Sequence, residues 1–453
     1  MPSTISEFKL NPLDGSTTVE YSDGSVKNGS LIPAMSLTEG NVQSITQTAN
    51  TIVIAGDSIT NQNWGTDSAT YKATSGLGYW TWAEIEMGGR VKLLNNAGVS
   101  GDRTDQLLAR LPAQVIAYKP KYCFVHIGTN DIGAGVPSSN IISNLSSIYQ
   151  LLVDAGIIPI TSTILPRGGT SALSTQSARR ELLDVNDWIV RYSRSKGWMC
   201  ADFYRLAVDT TSLTTVSQAR TDATLMDSLG LHPLGKLARK MGLMLASLLM
   251  PITPVYYGPS CNGWDGTNGA AGPVINPTMI GAGGSTNTGV TGTVAQNWVG
   301  ERVSGTGISA VASLVPVGTL FPSDMSPGTV QQYVVSSSAS LSDELFHYQV
   351  SSSQIPPAGT TCVLTGTMTA TASSGTIENI RLYAQANNSL MLIDCVSLAT
   401  NSGIGSTSVQ GLWQSREFTI PAGVTQLTIG ATIRTSVGAN VTWGIKQIDI
   451  LPI

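Results

Sequence analysis

The chain has 453 residues, more than one ordinary domain holds, so two or three domains are expected. Charged residues make up only 12% of it, the formal net charge is −4, and no basic run occurs; nucleic acid and anionic membranes are therefore excluded as expected partners. No stretch reaches the ~18 apolar residues that a membrane-spanning helix needs.

Residues 1–48 are polar and rich in turn formers, and they read as a β-rich N-terminal extension. Residues 17–21 have the look of a strand entering a hairpin turn at Ser22-Asp23-Gly24-Ser25. The extension is expected to pack on the next domain or to serve as an attachment segment. Its start lacks a positive region and an apolar region, so no secretory signal is read, and a secreted product would need another exit, such as cell lysis.

From residue 49 to 252 the pattern alternates. Apolar runs suited to strands fall at 51–55, 91–95, 121–127, 157–164 and 198–201. Segments between them have helical spacing, as in Leu107, Leu108 and Leu111, and in Ile141, Ile142, Leu145, Ile148, Leu151 and Leu152. Such alternation predicts a parallel sheet with helices on both faces. A last helix is expected over 233–250, stopped by Pro251 and Pro254.

Residues 253–275 are rich in Gly, Asn and Pro and read as a linker. From 276 to 453 the helical periodicity disappears. Short β-prone runs at 329–335, 361–369, 380–384, 416–420, 425–435 and 441–450, separated by Gly, Ser, Asn and Pro, predict an antiparallel β-sandwich. The five cysteines, Cys123, Cys200, Cys261, Cys362 and Cys395, show no CxxC spacing, which argues against a disulfide framework or a zinc site. Cys362 and Cys395 either pair or stay as buried thiols.

The stretch Ile52-Val53-Ile54-Ala55-Gly56-Asp57-Ser58-Ile59-Thr60 stands out. It is a buried-strand pattern that stops at a turn and places Ser58 at the carboxyl end of the strand, where open α/β sheets bind ligands. Ser58 is a candidate nucleophile; equally, Asp57 or Ser58 caps a following helix. Only three histidines are available as a base. His126 lies within a strand and reads as a satisfied polar group. His347 lies in the β-rich part and reads as a surface residue. His232, in Gly230-Leu231-His232-Pro233, sits on a loop before the last helix and either faces a cleft or is simply exposed. Two further strand ends carry polar groups, Asn95 to Thr104 with Gly98 and Gly101, and Gly128-Thr129-Asn130-Asp131; each also fits ordinary loop chemistry.

Gly56-Asp57-Ser58-Ile59, Gly101, Gly128-Thr129-Asn130-Asp131 and His232-Pro233 come in the order of the SGNH (GDSL-like) hydrolase family, which this part of the chain resembles. The resemblance implies a flavodoxin-like α/β/α sandwich with a central parallel sheet. It implies Ser58 as nucleophile and His232 as general base, with Ser58, Gly101 and Asn130 forming the oxyanion hole, and it calls for no cofactor and no metal. One departure concerns the acid. The family places an aspartate three residues before the histidine, and Leu229 stands there. Asp227, five residues before His232, is the expected orienting acid; Asp222 or a backbone carbonyl are the alternatives.

Family membership does not name the ester. Trp64, Tyr71, Tyr79, Trp80 and Trp82 follow Ser58, and Trp64 is the candidate for stacking on a sugar, whereas Trp80 and Trp82 read as helix-packing residues. No long apolar insertion suggests a lipase lid. The C-terminal part, with Trp264, Trp298, Trp413 and Trp443, resembles carbohydrate-binding sandwiches. The whole architecture resembles bacteriophage tail-spike or tail-fibre esterases. That resemblance implies removal of O-acetyl groups from a bacterial surface polysaccharide, a homotrimer attached to a virion through the N-terminal segment, and a location on the virion tail or outside the cell. The rival expectations are a lipase or thioesterase acting on small acyl esters, and a non-catalytic glycan-binding adhesin.

Overall fold

The computed structural model describes residues 5–10, 16–21, 26–30, 50–65, 71–210, 224–253, 274, 276–303, 306–322, 328–337, 344–351, 355–387, 391–398 and 403–453. Asp222, Cys261, Trp264 and nearly all of the expected linker lie outside them. The chain divides into two compact units, 1–49 and 50–453. In the first, β1 (Ile5–Leu10), β2 (Ser16–Tyr21) and β3 (Val26–Ser30) form an antiparallel three-stranded sheet.

The second unit begins with a five-stranded parallel sheet. Its strands are β4 (Thr51–Gly56), β6 (Lys92–Gly98), β7 (Tyr122–His126), β8 (Ile158–Ser162) and β9 (Cys200–Ala201). Their spatial order is β6-β4-β7-β8-β9. Numbered by appearance this is 2-1-3-4-5, the flavodoxin-like order, in which the strand order reverses beside the first strand. The helices are α1 (Ser58–Asn61), α2 (Tyr79–Met87), α3 (Thr104–Gln114), α4 (Thr129–Gly133), α5 (Ser138–Asp154), α6 (Gln176–Lys196), α7 (Tyr204–Ala207) and α8 (Gly235–Leu249).

β4 shows why its apolar run is continuous. Successive side chains point to opposite faces, and helices cover both. Ile52 and Ile54 enter the core with Tyr79, Met241 and Leu245, whereas Val53 and Ala55 enter the core with Leu107, Leu111 and Ile141. Fully burying each Ile or Val side chain contributes about 1.5–3 kcal/mol relative to exposure. α8 sits close on α2, because Gly242 has no side chain: a Cβ there would meet Tyr79 O at 2.5 Å and Trp82 Cβ at 2.6 Å.

The C-terminal part is a pair of mainly antiparallel sheets. β5 (Tyr71–Ser75) comes from the segment after Ser58, and the remaining strands follow residue 284: β10 (Ser285–Thr286), β11 (Val290–Gly292), β12 (Val299–Arg302), β13 (Ile308–Pro316), β14 (Thr329–Ser337) and β15 (Glu344–Ser351). Then come β16 (Thr361–Ser374), β17 (Ile377–Ala386), β18 (Met391–Ser397), β19 (Ser408–Gln414), β20 (Phe418–Thr419), β21 (Leu427–Thr435) and β22 (Asn440–Pro452). One sheet runs β10-β12-β15-β21-β17-β18-β5; the other runs β11-β13-β14-β22-β16-β19, with β20 on β16.

The change of pattern near residue 252 is not a gap in packing. β5 pairs in parallel with β18, with Tyr71 opposite Leu392 and Ala73 opposite Asp394. Trp82, Ile85 and Ala238 belong to the same core cluster as the sandwich residues. A side chain at Gly411 of β19 would lie 2.3 Å from the Ile85 carbonyl on α2.

One reading of the β-rich part needs correction. His347 is fully buried, not on the surface. Alternation along β15 places it on the core side with Leu345, its ring stacks on Trp298 at 4.5 Å, and Tyr333 Oη lies 2.8 Å from its Nδ1. Burial pushes its pKa down to about 3, so it is held neutral. Trp298, Trp413 and Trp443 are fully buried core residues, so none offers a ring face to a sugar. Cys362 and Cys395 are buried free thiols.

Candidate active site

The site lies at the carboxyl ends of the parallel strands. β4 ends at Gly56, where a Cβ would fall 2.0 Å from His126 O and 2.3 Å from Thr60 Oγ1; only glycine fits between β4 and β7. Asp57 then caps α1, its Oδ1 accepting the Ile59 amide at 3.0 Å. Both readings of the Gly-Asp-Ser stretch therefore hold together. Asp57 is the cap, and the Ser58 hydroxyl faces His232.

Ser58 Oγ lies 2.9 Å from His232 Nε2, and His232 Nδ1 lies 2.8 Å from Asp227 Oδ2. The five-residue spacing between Asp227 and His232 is accommodated by a closed loop. The Asp227 amide donates to His232 O at 2.9 Å, and the Gly230 amide donates to Asp227 O at 2.8 Å. Asp227 Oδ1 accepts the amides of Leu231 at 2.9 Å and His232 at 3.2 Å. Gly230, at φ 64°, takes the left-handed conformation that the turn needs, and a Cβ there would strike Gly168. The Gly168 amide donates to Gly230 O, which ties the loop to the segment after β8. Leu229, where the shorter spacing would place an acid, is exposed.

The electrostatics suit an ionised acid behind the imidazole. Partial burial pushes the Asp227 carboxyl up, but hydrogen bonds from the Leu231 amide, the imidazole and the His232 amide outweigh it and hold the group below its ordinary value. An ionised carboxylate accepting from Nδ1–H leaves Nε2 to take the Ser58 proton. Asp57 behaves in the opposite way. Burial raises its pKa to about 7, and its Oδ2 has no hydrogen-bond partner. His126 is buried, with Nδ1 2.7 Å from Ser162 Oγ, and desolvation lowers its pKa to about 3. It is a satisfied interior group.

The three expected oxyanion donors sit at the ends of three adjacent strands: Gly101 after β6, Ser58 after β4 and Asn130 after β7. Gly101 has φ 86°, a left-handed conformation that favours glycine. Asn130 Nδ2 donates to Asp102 O at 2.9 Å, which fixes the amide plane and leaves its second N–H for another acceptor. Asp131 accepts from the Thr104 hydroxyl at 2.6 Å and from the Thr104 amide at 3.0 Å, pinning the start of α3 to α4, which carries Asn130.

Trp64 is half-buried, and the Arg416 guanidinium lies over its ring at 3.7 Å from the centroid. One ring face is therefore already occupied by a cation. Tyr79, Trp80 and Trp82 are buried packing residues.

Gln62, which carries no motif, was not singled out by the sequence. Its backbone amide donates to Ser58 O at 3.0 Å, and its Nε2 donates to Leu77 O at 2.8 Å and to Pro233 O at 3.0 Å. It thereby joins the turn that carries Ser58 to the residue after His232. Among the described residues no three His, Cys, Asp or Glu side chains gather as a group able to hold a metal ion.

Residues 54–237 match the family model described as the GDSL-like Lipase/Acylhydrolase family. An arylesterase from Vibrio mimicus is 38% identical over 74 residues, which is 16% of this chain and 36% of that protein. The match thus spans about a third of that relative's length. Among solved structures, the lipase/acylhydrolase from Enterococcus faecalis is 19% identical with a TM-score of 0.34, covering 46% of this chain and 98% of its own. A catalytic mutant of an acetylxylan esterase from Geobacillus stearothermophilus is 18% identical with a TM-score of 0.35, covering 45% and 94%. The family match to residues 54–237, together with a sheet of the flavodoxin-like order, supports the GDSL-like lipase/acylhydrolase, or SGNH, family for this part of the chain.

Proposed function

We propose that this protein is a serine esterase that cleaves acyl groups, in particular O-acetyl groups, from a bacterial surface polysaccharide. The observation that carries the reading is the continuous hydrogen-bonded chain Ser58 Oγ–His232 Nε2 and His232 Nδ1–Asp227 Oδ2, at 2.9 and 2.8 Å. His232 takes the Ser58 proton as Oγ attacks the ester carbonyl. The tetrahedral oxyanion is met by the amides of Ser58 and Gly101 and the side chain of Asn130; losing one such donor typically costs about 10²–10³ in rate. The alkoxide leaves with the proton from His232, and an acyl-Ser58 ester remains. Water, deprotonated by His232, then releases the acid.

The arylesterase relative supports ester hydrolysis as the reaction class. The polysaccharide, the trimer, the virion attachment through residues 1–49 and the place on a virion tail or outside the cell belong to the same proposal and rest on the architecture. The test is hydrolysis of p-nitrophenyl acetate, butyrate and octanoate by the wild-type protein and by Ser58→Ala, with acetate release from an O-acetylated bacterial polysaccharide alongside. Rates falling with chain length, together with acetate release, support the proposal. Rates rising with chain length point to a lipase or thioesterase. Equal inertness of both proteins, with polysaccharide bound, points to an adhesin.

A further inference from the structure

We infer that Arg110, in α3, is the positioning residue for all three oxyanion donors; this rests on the esterase reading above. Its side chain is only 15% exposed, and four of its five N–H donors are engaged. Nε donates to Asp102 Oδ2 at 2.6 Å. Nη1 donates to Ala97 O and to Gln114 Oε1, each at 2.6 Å, and Nη2 donates to Gly56 O at 2.8 Å. Apart from Gln114, which ends α3 itself, these acceptors belong to the ends of β4 and β6 and to the loop that follows β6. A planar guanidinium holds them in one rigid frame, which a flexible ammonium cannot reproduce.

Each donor lies one short step from an atom that Arg110 holds. Gly56 is two residues before Ser58, and its carbonyl also accepts the Val99 amide at 3.1 Å. Asp102 follows Gly101 directly, so fixing the Asp102 carboxylate fixes the glycine in its left-handed turn. The Asp102 carbonyl accepts the Asn130 amide, so the same residue sets the third donor. None of these links touches His232 or Asp227.

The charge matters as much as the frame. The Asp102 side chain is 11% exposed and sits in the loop that offers the Gly101 amide. Left unpaired, a carboxylate there would oppose the negative charge that develops on the substrate oxygen. Arg110 neutralises it. The expected signature is therefore a loss confined to the transition state: kcat falls, ground-state binding is kept, and the acid limb set by the base does not move. Displacing catalytic groups by about 1 Å costs on the order of 10² in rate.

The experiment measures p-nitrophenyl acetate kinetics and inhibition by a trifluoromethyl ketone, whose adduct with a serine carries an oxyanion. Arg110→Met should lower kcat about 10²-fold with KM within about threefold, weaken the ketone by a similar factor, and leave the acid limb of the kcat/KM profile in place. Arg110→Lys, which keeps the charge but not the fork, should lose about tenfold in both measures; it carries the test where Arg110→Met fails to fold by circular dichroism. In the Arg110→Met background, Asp102→Asn should recover part of kcat, which a purely structural role would not produce. Wild-type kcat in either Arg110 variant, or a lost kcat with ketone affinity intact, overturns the inference. Ser58→Ala separates the two claims. If it stays active, the esterase reading falls and takes this inference with it; if it is inert while the Arg110 variants match wild type, only the inference falls.

Discussion

Asp227 is where this chain departs from the spacing usual in the GDSL-like hydrolases it resembles, so Asp227→Asn is the informative substitution. Asp227 Oδ1 accepts two amides, at 2.9 and 3.2 Å, while Oδ2 faces His232 Nδ1. An asparagine will keep its oxygen on the two amides, which turns its NH₂ toward Nδ1. Nδ1 must then accept, the proton moves to Nε2, and the imidazole can no longer take the Ser58 proton. Restoring the working tautomer requires flipping the amide against two N–H donors. Giving up two hydrogen bonds at about 1 kcal/mol each, with the N–H groups then opposed, costs about 2–4 kcal/mol. That corresponds to roughly 30- to 1,000-fold in rate at 1.36 kcal/mol per decade. Asp227→Ala leaves Nδ1 to water, which reaches the part-buried ring, and should lose less activity than Asp227→Asn does. Steady-state hydrolysis of p-nitrophenyl acetate checks the order wild type, Ala, Asn. An Asp227→Asn variant within about threefold of wild type would refute the reasoning and hand the orienting role to a backbone carbonyl.

Gln62→Leu removes the donor to Leu77 O and Pro233 O while leaving the backbone bond to Ser58 in place; kcat should drop roughly tenfold with little change in KM, measured in the same assay. Gly411→Ala drives a Cβ to 2.3 Å from Ile85 O and should destabilise residues 50–453 by about 1–3 kcal/mol. Differential scanning calorimetry reads this as a lower Tm, and a single transition for that unit is expected because β5 lies in the C-terminal sheet. His126 and His347 have folded pKa values lowered to about 3, against an ordinary value of 6.5. The unfolded chain binds the extra protons, so each histidine's stabilising effect is complete above pH 6.5 and shrinks by about 1.4 kcal/mol per pH unit on acidification toward 3. Urea unfolding across that window should show a shallower slope in His347→Gln than in wild type; an unchanged slope contradicts the burial argument.

The candidate nucleophile and oxyanion donors were legible because each stands in a short run at a strand end. An apolar run stopping at Gly56-Asp57-Ser58, glycine at 101, and Gly128-Thr129-Asn130-Asp131 follow from local constraints on turns. Asp227 was legible only as the nearest acid; the closed loop that brings it to His232 depends on Gly230 and on a contact with Gly168 that sequence spacing does not reveal. β5 was not legible, since Tyr71–Ser75 is short and polar and its partner β18 lies more than 300 residues away. His347 misled because Glu344-Leu345-Phe346-His347-Tyr348 has large side chains on both faces, and the partners that satisfy its ring, Trp298 and Tyr333, come from other strands. Gln62 and Arg110 carry no local signature at all. The bonds that set them apart, Gln62 to Pro233 O and Arg110 to Gly56 O, span 171 and 54 residues of sequence.

The central claim is that Ser58 is a nucleophile activated by His232. Peptide mass spectrometry after treatment with a fluorophosphonate tests it most directly. One adduct is expected, on the peptide containing Ser58, formed at a rate that drops by orders of magnitude in His232→Ala and matched by loss of p-nitrophenyl acetate hydrolysis. Hydrolysis that survives complete modification of Ser58, or an adduct on another serine with Ser58 untouched, would contradict it.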